Sequence, residues 1–321
     1  MKRAHLSAPN VIGGMLAVLA IATAGFEMFP RRPVEVTVFS GTSTDRIAHM
    51  LYNERLVPHP LVFRIASRLS GSDTALKTGV FSLRYSLTGI PLVLAMRKPG
   101  GGLAVTIPEG FRSDQIAERM AQRRIITDPV GFMALVRSRN LEGWLFPETY
   151  RLSLGSSAEA VVERMTAELL ARITPEMGRR MQELRMSTAQ VVVLASIVQK
   201  EGNGPEQMQM VAGVFHNRLR ASWPLESCAT VRFALKKFSG TLTHQDVRQE
   251  SPYNTYRRRG LPPGAICNPG MDAIRAVLYP AATDAMFFFT DDDATLQFSR
   301  YYEQHVRGRQ KRRAVRGRGG T

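Results

Sequence analysis

The chain has 321 residues, enough for two or three domains, and its 44% apolar and 22% charged residues exclude a disordered or fibrous class. Lys and Arg number 43 against 27 Asp and Glu, a formal charge of +16, which implies an anionic partner: nucleic acid, acidic lipid or an acidic polymer. With two cysteines, Cys228 and Cys267, it is neither a disulfide scaffold nor a cysteine zinc cluster.

Lys2, Arg3 and His5 precede an apolar run, Val11–Phe29, whose one charge, Glu27, lies near its far end. The length suits a single membrane-spanning helix. A cleaved signal peptide is the alternative, with Ala22-Thr23-Ala24 as a loose cleavage site. The run's continuation through Phe26 and Phe29 favours an uncleaved anchor. Lys2 and Arg3 are balanced by Arg31 and Arg32, so charge does not set the orientation. A signal-like start places the bulk of the chain outside the membrane.

After the stiff linker Pro30–Pro33 an internal repeat begins. Val36–Leu51 aligns with Val105–Met120: Gly41 matches Gly110, Asp45 matches Asp114, and Ile47-Ala48 matches Ile116-Ala117. Pro60 with Pro129 and Phe63 with Phe132 keep the register. Each copy reads as an alternating strand, a Gly turn, a helix capped near Ser43 or Ser113, and a second helix. Between them, Gly79–Met96 reads as a strand, a turn, and a second strand or a helix. Such small units resemble LysM-like modules, which bind peptidoglycan sugars; a spacer without a ligand is the alternative.

In the second half, Leu141–Leu152 crowds Trp144, Phe146, Pro147 and Tyr150 beside Glu142 and Glu148. Aromatic faces next to acids suit a sugar cleft, and equally a core hinge. Helices are expected over 157–172 and 175–184. Then Ser187 and Gln190 form a capping-box pattern before the apolar run Val191–Val198, which is too short for a bilayer and apolar on every face. That helix ends at Gln199, Lys200, Glu201 and the cap Gly202. The helix dipole and burial both disfavour a charged Glu201, which would then be a protonated acid; a solvated acid at a helix end is the alternative. An amphipathic helix follows over 211–220, with His216, Asn217 and Arg218 on its polar face. Two loops dense in Pro, Gly and Asn, 251–256 and 260–270, are of the kind that carries function. Residues 285–290 and 297–299 read as a closing strand pair around the acidic turn Asp291–Asp293. The tail Arg307–Arg318 holds seven basic residues without apolar periodicity.

Taken together, L-E-G-W-L-F-P-E-T-Y, L-A-S-I-V-Q-K-E, V-F-H-N-R-L, S-P-Y-N-T-Y and G-L-P-P-G-A-I-C-N-P-G resemble the endolytic murein transglycosylases of the YceG-like family, in order and spacing, over about Val34–Arg307. The resemblance implies an α+β chain: an N-terminal transmembrane helix, LysM-like α/β units, and a mainly helical, lysozyme-like catalytic domain with a small sheet. The expected boundaries are a short cytoplasmic N-terminus at 1–10, the anchor at 11–29, the LysM-like region at 34–140, the catalytic domain at 141–306 and a basic disordered tail at 307–321. It further implies a single-pass protein of the bacterial cytoplasmic membrane whose catalytic domain faces the wall. There it would cut nascent peptidoglycan strands between MurNAc and GlcNAc without hydrolysis, with cell-wall synthesis enzymes as further partners.

The family commonly reads E-K-E-T where this chain has Gln199-Lys200-Glu201-Gly202, and Cys228 stands where an Asp is usual. The Glu-Ser/Thr pairing of other lytic transglycosylases makes Glu201 the expected catalytic residue. It would protonate the glycosidic oxygen, then accept the proton of the MurNAc C6 hydroxyl as that hydroxyl closes a 1,6-anhydro ring. Asn217, Tyr253, Asn254 and Asn268 are candidate donors to the sugar, with Trp144 and Tyr150 as sugar-binding aromatics; capping and turn-making are the alternative roles of Asn254 and Asn268. Cys228 and Cys267, in loops expected to edge the cleft, are candidates for a disulfide, two unpaired thiols being the alternative. No metal-ligand set, nucleotide-binding Gly loop or other cofactor motif is present. A non-catalytic wall-binding or divisome scaffold competes, because of Gln199 and Gly202. A nucleic-acid binder rests on the basic tail alone.

Overall fold

The computed structural model describes residues 32–39, 41–71, 76–290, 295–304 and 306. The expected anchor and its flank (1–29), the acidic turn at 291–293 and the basic tail (307–321) lie outside them. No helix among the described residues is long and apolar enough to cross a membrane. The architecture is α+β and mainly helical, with three two-stranded sheets. By compactness the chain forms two units: the residues up to Ala104 together with Arg151–Gly155, and the residues 105–150 with those from Ser156 onward.

In the first unit, β1 (Val34–Val38) leads to α1 (Thr44–Asn53) and α2 (Pro60–Leu69), and β2 (Gly79–Leu83) returns antiparallel to β1 with Val36 opposite Phe81. The ambiguous stretch after β2 is a helix, α3 (Ile90–Met96). Alternation explains the sheet: Val36, Val38, Phe81 and Leu83 point inward and are buried. They pack with Ile47 and Leu51 of α1, Phe63 of α2 and Val93 and Met96 of α3 in one apolar cluster.

The second copy of the repeat folds likewise: β3 (Leu103–Thr106), α4 (Ser113–Gln122) and α5 (Pro129–Ser138), with β4 (Thr149–Leu152) pairing with β3. The shared register is conformational as well as chemical. Gly41 and Gly110 both have left-handed backbone (φ 77 and 73). His59 and Asp128 cap the helices that Pro60 and Pro129 open. Phe63 and Phe132 are both fully buried. The caps match in position and differ in residue: Ser43 caps α1, its counterpart before α4 is Arg112, and Ser113, matching Thr44, is the first helical residue with its hydroxyl buried.

The remaining helices are α6 (Ala158–Arg172), α7 (Pro175–Glu183), α8 (Thr188–Glu201), α9 (Gly204–Arg220), α10 (Cys228–Leu235), α11 (His244–Arg248) and α12 (Met271–Leu278), and the antiparallel pair β5 (Phe287–Thr290) and β6 (Leu296–Ser299) closes the order. The capping box expected at α8 is present: Ser187 Oγ accepts from the Gln190 N–H, and Gln190 Oε1 from the Ser187 N–H. Val191, Val192, Leu194, Ala195, Ile197 and Val198 are all buried. The apolar perimeter is filled by α9, α10 and α12, which pack around α8. Gly202 caps α8 through its N–H to Val198 O, but in an extended conformation (φ −108, ψ 140), not the left-handed one typical of glycine caps.

Because Phe132 is fully buried and Val130, in the same helix, is 78% exposed, Phe132→Ala should cost about 3–5 kcal/mol. Val130→Ala should change stability by about 0.5 kcal/mol or less. Urea unfolding of the two variants measures the difference.

Candidate active site around Glu201

The dominance of apolar residues in α8 brings Glu201 to the edge of the helical core, where the side chain is half-buried. Both hydrogen bonds to its carboxylate fall on Oε1: the Ser227 hydroxyl donates at 2.5 Å and the Ala229 N–H at 3.4 Å. Among the described residues none donates to Oε2. Burial pushes the Glu201 pKa up; the bonds from Ser227 and Ala229, then the charges of Arg232 and Arg218, pull the other way. The charges that act on it are thus cationic, and burial still prevails.

Ser227, which sequence reasoning missed, is held at every backbone polar group. Its N–H donates to Thr255 Oγ1 (3.0 Å) and its carbonyl accepts from Thr230 Oγ1 (2.7 Å); the two threonine hydroxyls are 2.9 Å apart. Arg218 anchors the segment leading there. Its guanidinium donates to Leu225 O (2.7 Å) and Met286 O (2.7 Å) and pairs with Glu226 at 3.2 Å. Glu226 itself is left-handed (φ 50), which turns the chain into α10. One signal for Ser227 was in the sequence, a hydroxyl just before a helix, where it reads as a cap; in the structure it makes no capping bond.

The two departures around Glu201 have structural explanations. Gln199 Oε1 accepts from the Gly270 N–H at 2.8 Å, so the amide fastens a loop. A Cβ at Gly202 would lie 3.0 Å from both Met208 Cα and Met208 N, so a threonine there would press on α9.

Several residues expected to bind sugar have hydrogen bonds committed to the framework. Asn268 is fully buried, with Oδ1 accepting from the Gly143 and Leu145 N–H groups and Nδ2 donating to Phe111 O and Glu142 Oε1. Asn254 is buried and donates to Val247 O and Gln249 O. Asn217 donates to Thr283 O and Ala285 O. Tyr150 is buried with its hydroxyl on Phe146 O at 2.6 Å. In each case an unpaired buried backbone group would cost more than a solvent-facing side chain gains.

The disulfide is also corrected: both cysteines are free thiols. Cys267 is buried and donates to Ser196 O of α8 at 3.3 Å, and burial pushes its thiol up to about 12. Cys228 is exposed, 3.2 Å from the Tyr256 hydroxyl.

Trp144 and Tyr253 meet elsewhere, in a cavity of about 740 Å³ shared with Phe233, Phe238, Glu142 and Arg112. It lies beside Ala189, Val192 and Val193 of α8, and Glu201 is not among its walls. The eight steps from Val193 to Glu201 put about 12 Å of helix between them. Arg112 stacks on Phe238, 3.4 Å from the ring centroid. Burial pushes Glu142 up to about 7, against the lowering effect of its bonds from Ser113. Its oxygens are committed all the same, both to the Ser113 N–H and one to Asn268. Glu142 therefore caps α4, whereas Glu201 keeps an oxygen without a donor among the described residues.

The YceG-like family profile matches residues 36–311. The chain belongs to the YceG-like family. Among relatives, an endolytic murein transglycosylase of Streptococcus pneumoniae serotype 2 is 26% identical over 86% of this chain and 58% of that protein. The Bacillus subtilis endolytic murein transglycosylase is 25% identical over 94% of this chain and 91% of that one. A yceG-like protein from Listeria monocytogenes, known from a crystal structure, superposes with a TM-score of 0.60 at 27% identity, over 87% of this chain and 99% of that one. The chain thus spans little more than half the length of the pneumococcal relatives it matches.

Glu142 gives this YceG-like chain a pH signature independent of activity. Its folded pKa of about 7 lies above the ordinary carboxylate value, so the folded state holds a proton that the unfolded chain has released. The stabilisation is fully present below about pH 4.3 and lost as pH rises through about 7. Thermal unfolding should show Tm falling over that window, and Glu142→Gln should flatten the fall.

Proposed function

We propose that this chain is a membrane-anchored endolytic peptidoglycan lytic transglycosylase with Glu201 as its single acid–base group. The observation that carries this reading is a half-buried carboxyl, gripped through Oε1 and undonated at Oε2, at the end of a helix locked in a helical core. The names borne by its pneumococcal and Bacillus relatives support the substrate class.

Burial favours the protonated form of Glu201, the form that starts the reaction. Its proton passes to the glycosidic oxygen, the C1–O bond of MurNAc breaks, and the GlcNAc hydroxyl leaves. The carboxylate, now stabilised by Ser227, Ala229 and the nearby arginines, accepts the proton of the MurNAc C6 hydroxyl as its oxygen attacks C1. No water enters the balance, and one carboxyl suffices where a glycoside hydrolase needs two. The arginines near Glu201 agree with this, because a second acid beside it would have pushed its pKa up by like charge. Trp144 and Tyr253 supply stacking faces for sugars farther along the strand.

In this reading Val11–Phe29 is the anchor, residues 34–140 are the LysM-like region and 141–306 the lysozyme-like catalytic part, working outside the cytoplasmic membrane on nascent strands. The basic tail contributes charge near the lipid surface.

Digestion of purified glycan strands, followed by mass spectrometry, tests the proposal. Products should carry 1,6-anhydroMurNAc ends, and Glu201→Gln should lower their formation by about 10²–10⁴-fold or more. Reducing ends would make the chain a hydrolase, and undiminished activity in the variant would remove Glu201 from the chemistry.

Ser227→Ala gives a sharper test of how the acid is tuned. The Ser227 hydroxyl favours the charged carboxylate, so its loss should raise the Glu201 pKa further. The alkaline limb of kcat/KM should move to higher pH. A lower rate with an unmoved limb would show that Ser227 acts only on structure.

A further inference from the structure

The first unit carries an apolar surface that its own core does not use. On α2, Leu61, Ile65 and Leu69 recur at a spacing of four and are 51%, 56% and 81% exposed. On α3 and the turn before it, Leu87, Ile90 and Leu94 are 69%, 44% and 52% exposed. The two helices adjoin: a Cβ built at Gly89, the N-cap of α3, would lie 3.3 Å from Phe63 Cα of α2. The inward faces, with Phe63, Ala66, Leu92, Val93 and Met96, are already buried, so this is a second, outward apolar surface on both helices. Five large aliphatic side chains on two short adjoining helices, with Leu87 on the turn before α3, exceed the scatter of single exposed residues normal for a protein surface.

Charge says what would cover it. Among the described residues from Arg32 to Ala104, nine are Lys or Arg and three are Asp or Glu. Arg64, which pairs with Asp45 at 3.1 Å, and Arg68 interleave with the α2 stripe, and Arg97 and Lys98 follow α3 directly. Long basic side chains beside leucines suit a lipid boundary, where the stems lie on apolar groups and the heads reach phosphate. Chain continuity points the same way. Only Pro30–Pro33 separate the apolar run Val11–Phe29 from β1, and four residues reach at most about 14 Å.

We propose that α2 and α3 lie against an anionic bilayer surface, with Leu61, Ile65, Leu69, Ile90 and Leu94 entering the boundary between headgroups and acyl chains. The proposal rests on the reading of Val11–Phe29 as an anchor. It adds a second, peripheral contact that would hold the first unit down on the membrane instead of leaving it on a free tether. The apolar contact supplies part of the binding and the cationic excess the preference for acidic lipid, by roughly 1 kcal/mol per basic residue close to the surface.

The test uses the full chain reconstituted in vesicles of phosphatidylcholine with phosphatidylglycerol, with Cys228→Ser removing the exposed thiol. An environment-sensitive fluorophore is placed on a cysteine at position 65, at 94, or at the control position 130, where Val130 is 78% exposed in the second unit. Flotation first establishes that the chain resides in the vesicles. Labels at 65 and 94 should be quenched by headgroup-proximal nitroxide lipid and shielded several-fold from aqueous iodide, and the label at 130 should show the reverse. In vesicles of phosphatidylcholine alone the lipid quenching should weaken. If the chain floats but labels at 65 and 94 are as open to iodide as that at 130, the anchor stands and the proposal is overturned. Shielding from iodide without lipid quenching overturns it in favour of a protein partner or a second copy. A chain that does not float removes the anchor and this proposal with it.

Discussion

The helical unit depends on one buried amide. Asn268 can accept two hydrogen bonds at Oδ1 and donate two from Nδ2, and it makes all four, while its own N–H and carbonyl bind Phe111 O and the Gly110 N–H. Through these bonds the Gly turn of the second repeat copy, the L-E-G-W-L segment and the loop before α12 become one piece. The neighbours of Asn268 continue the stitching: Cys267 and Ile266 bind Ser196 of α8, and Gly270 binds Gln199. The helix that ends at Glu201 is therefore held along its last two turns by a loop without regular structure. Fully satisfied buried networks of this kind specify a single geometry, and a half-satisfied one would cost more than an apolar replacement.

Sequence patterning revealed what local physics controls. The α8 capping box needs only residues three apart, and its apolar run needs only a core to fill. The repeat was visible because left-handed glycines and fully buried phenylalanines recur at a fixed offset. Partnerships across long sequence separations were not visible. Ser227 lies 26 residues beyond Glu201, and nothing in a lone Ser before a helix says that its hydroxyl turns back to an acid. The asparagines of the two loops illustrate the same limit. An Asn in a Pro- and Gly-rich loop can face a ligand or satisfy backbone, and the choice is made by which N–H and C=O groups the fold leaves orphaned. In Asn217, Asn254 and Asn268 the backbone wins. The short strand β4 was missed because its four residues sit in an aromatic segment that also reads as a cleft wall.

Among the described residues burial raises the pKa values of three carboxyls, Glu109, Glu142 and Glu201, and for the last two pKa by itself would not choose between them. Glu142 lines the cavity of about 740 Å³, beside aromatic faces, with a value near neutrality. Coordination separates them. Glu142 has both oxygens tied to the start of α4 and to Asn268, so protonating or ionising it acts mainly on the fold. Glu201 is held at one oxygen and undonated at the other, the arrangement a group needs if it is to give and regain a proton without moving.

The same contrast explains how the chain tolerates its departures from the family pattern. A hydroxyl directly after the acid would need room that Met208 occupies, and Gly202 avoids that contact. The hydroxyl at Glu201 comes instead from Ser227, whose position is fixed by Thr230, Thr255 and the Arg218 anchor and not by the end of α8. The acid and its donor thus sit on separate elements, each independently braced. The amide at Gln199 is spent on Gly270, which leaves Glu201 as the one carboxyl among residues 199–202. A like charge two residues away would have raised its pKa further; with an amide there, burial is opposed by the bonds from Ser227 and Ala229 and the charges of Arg232 and Arg218.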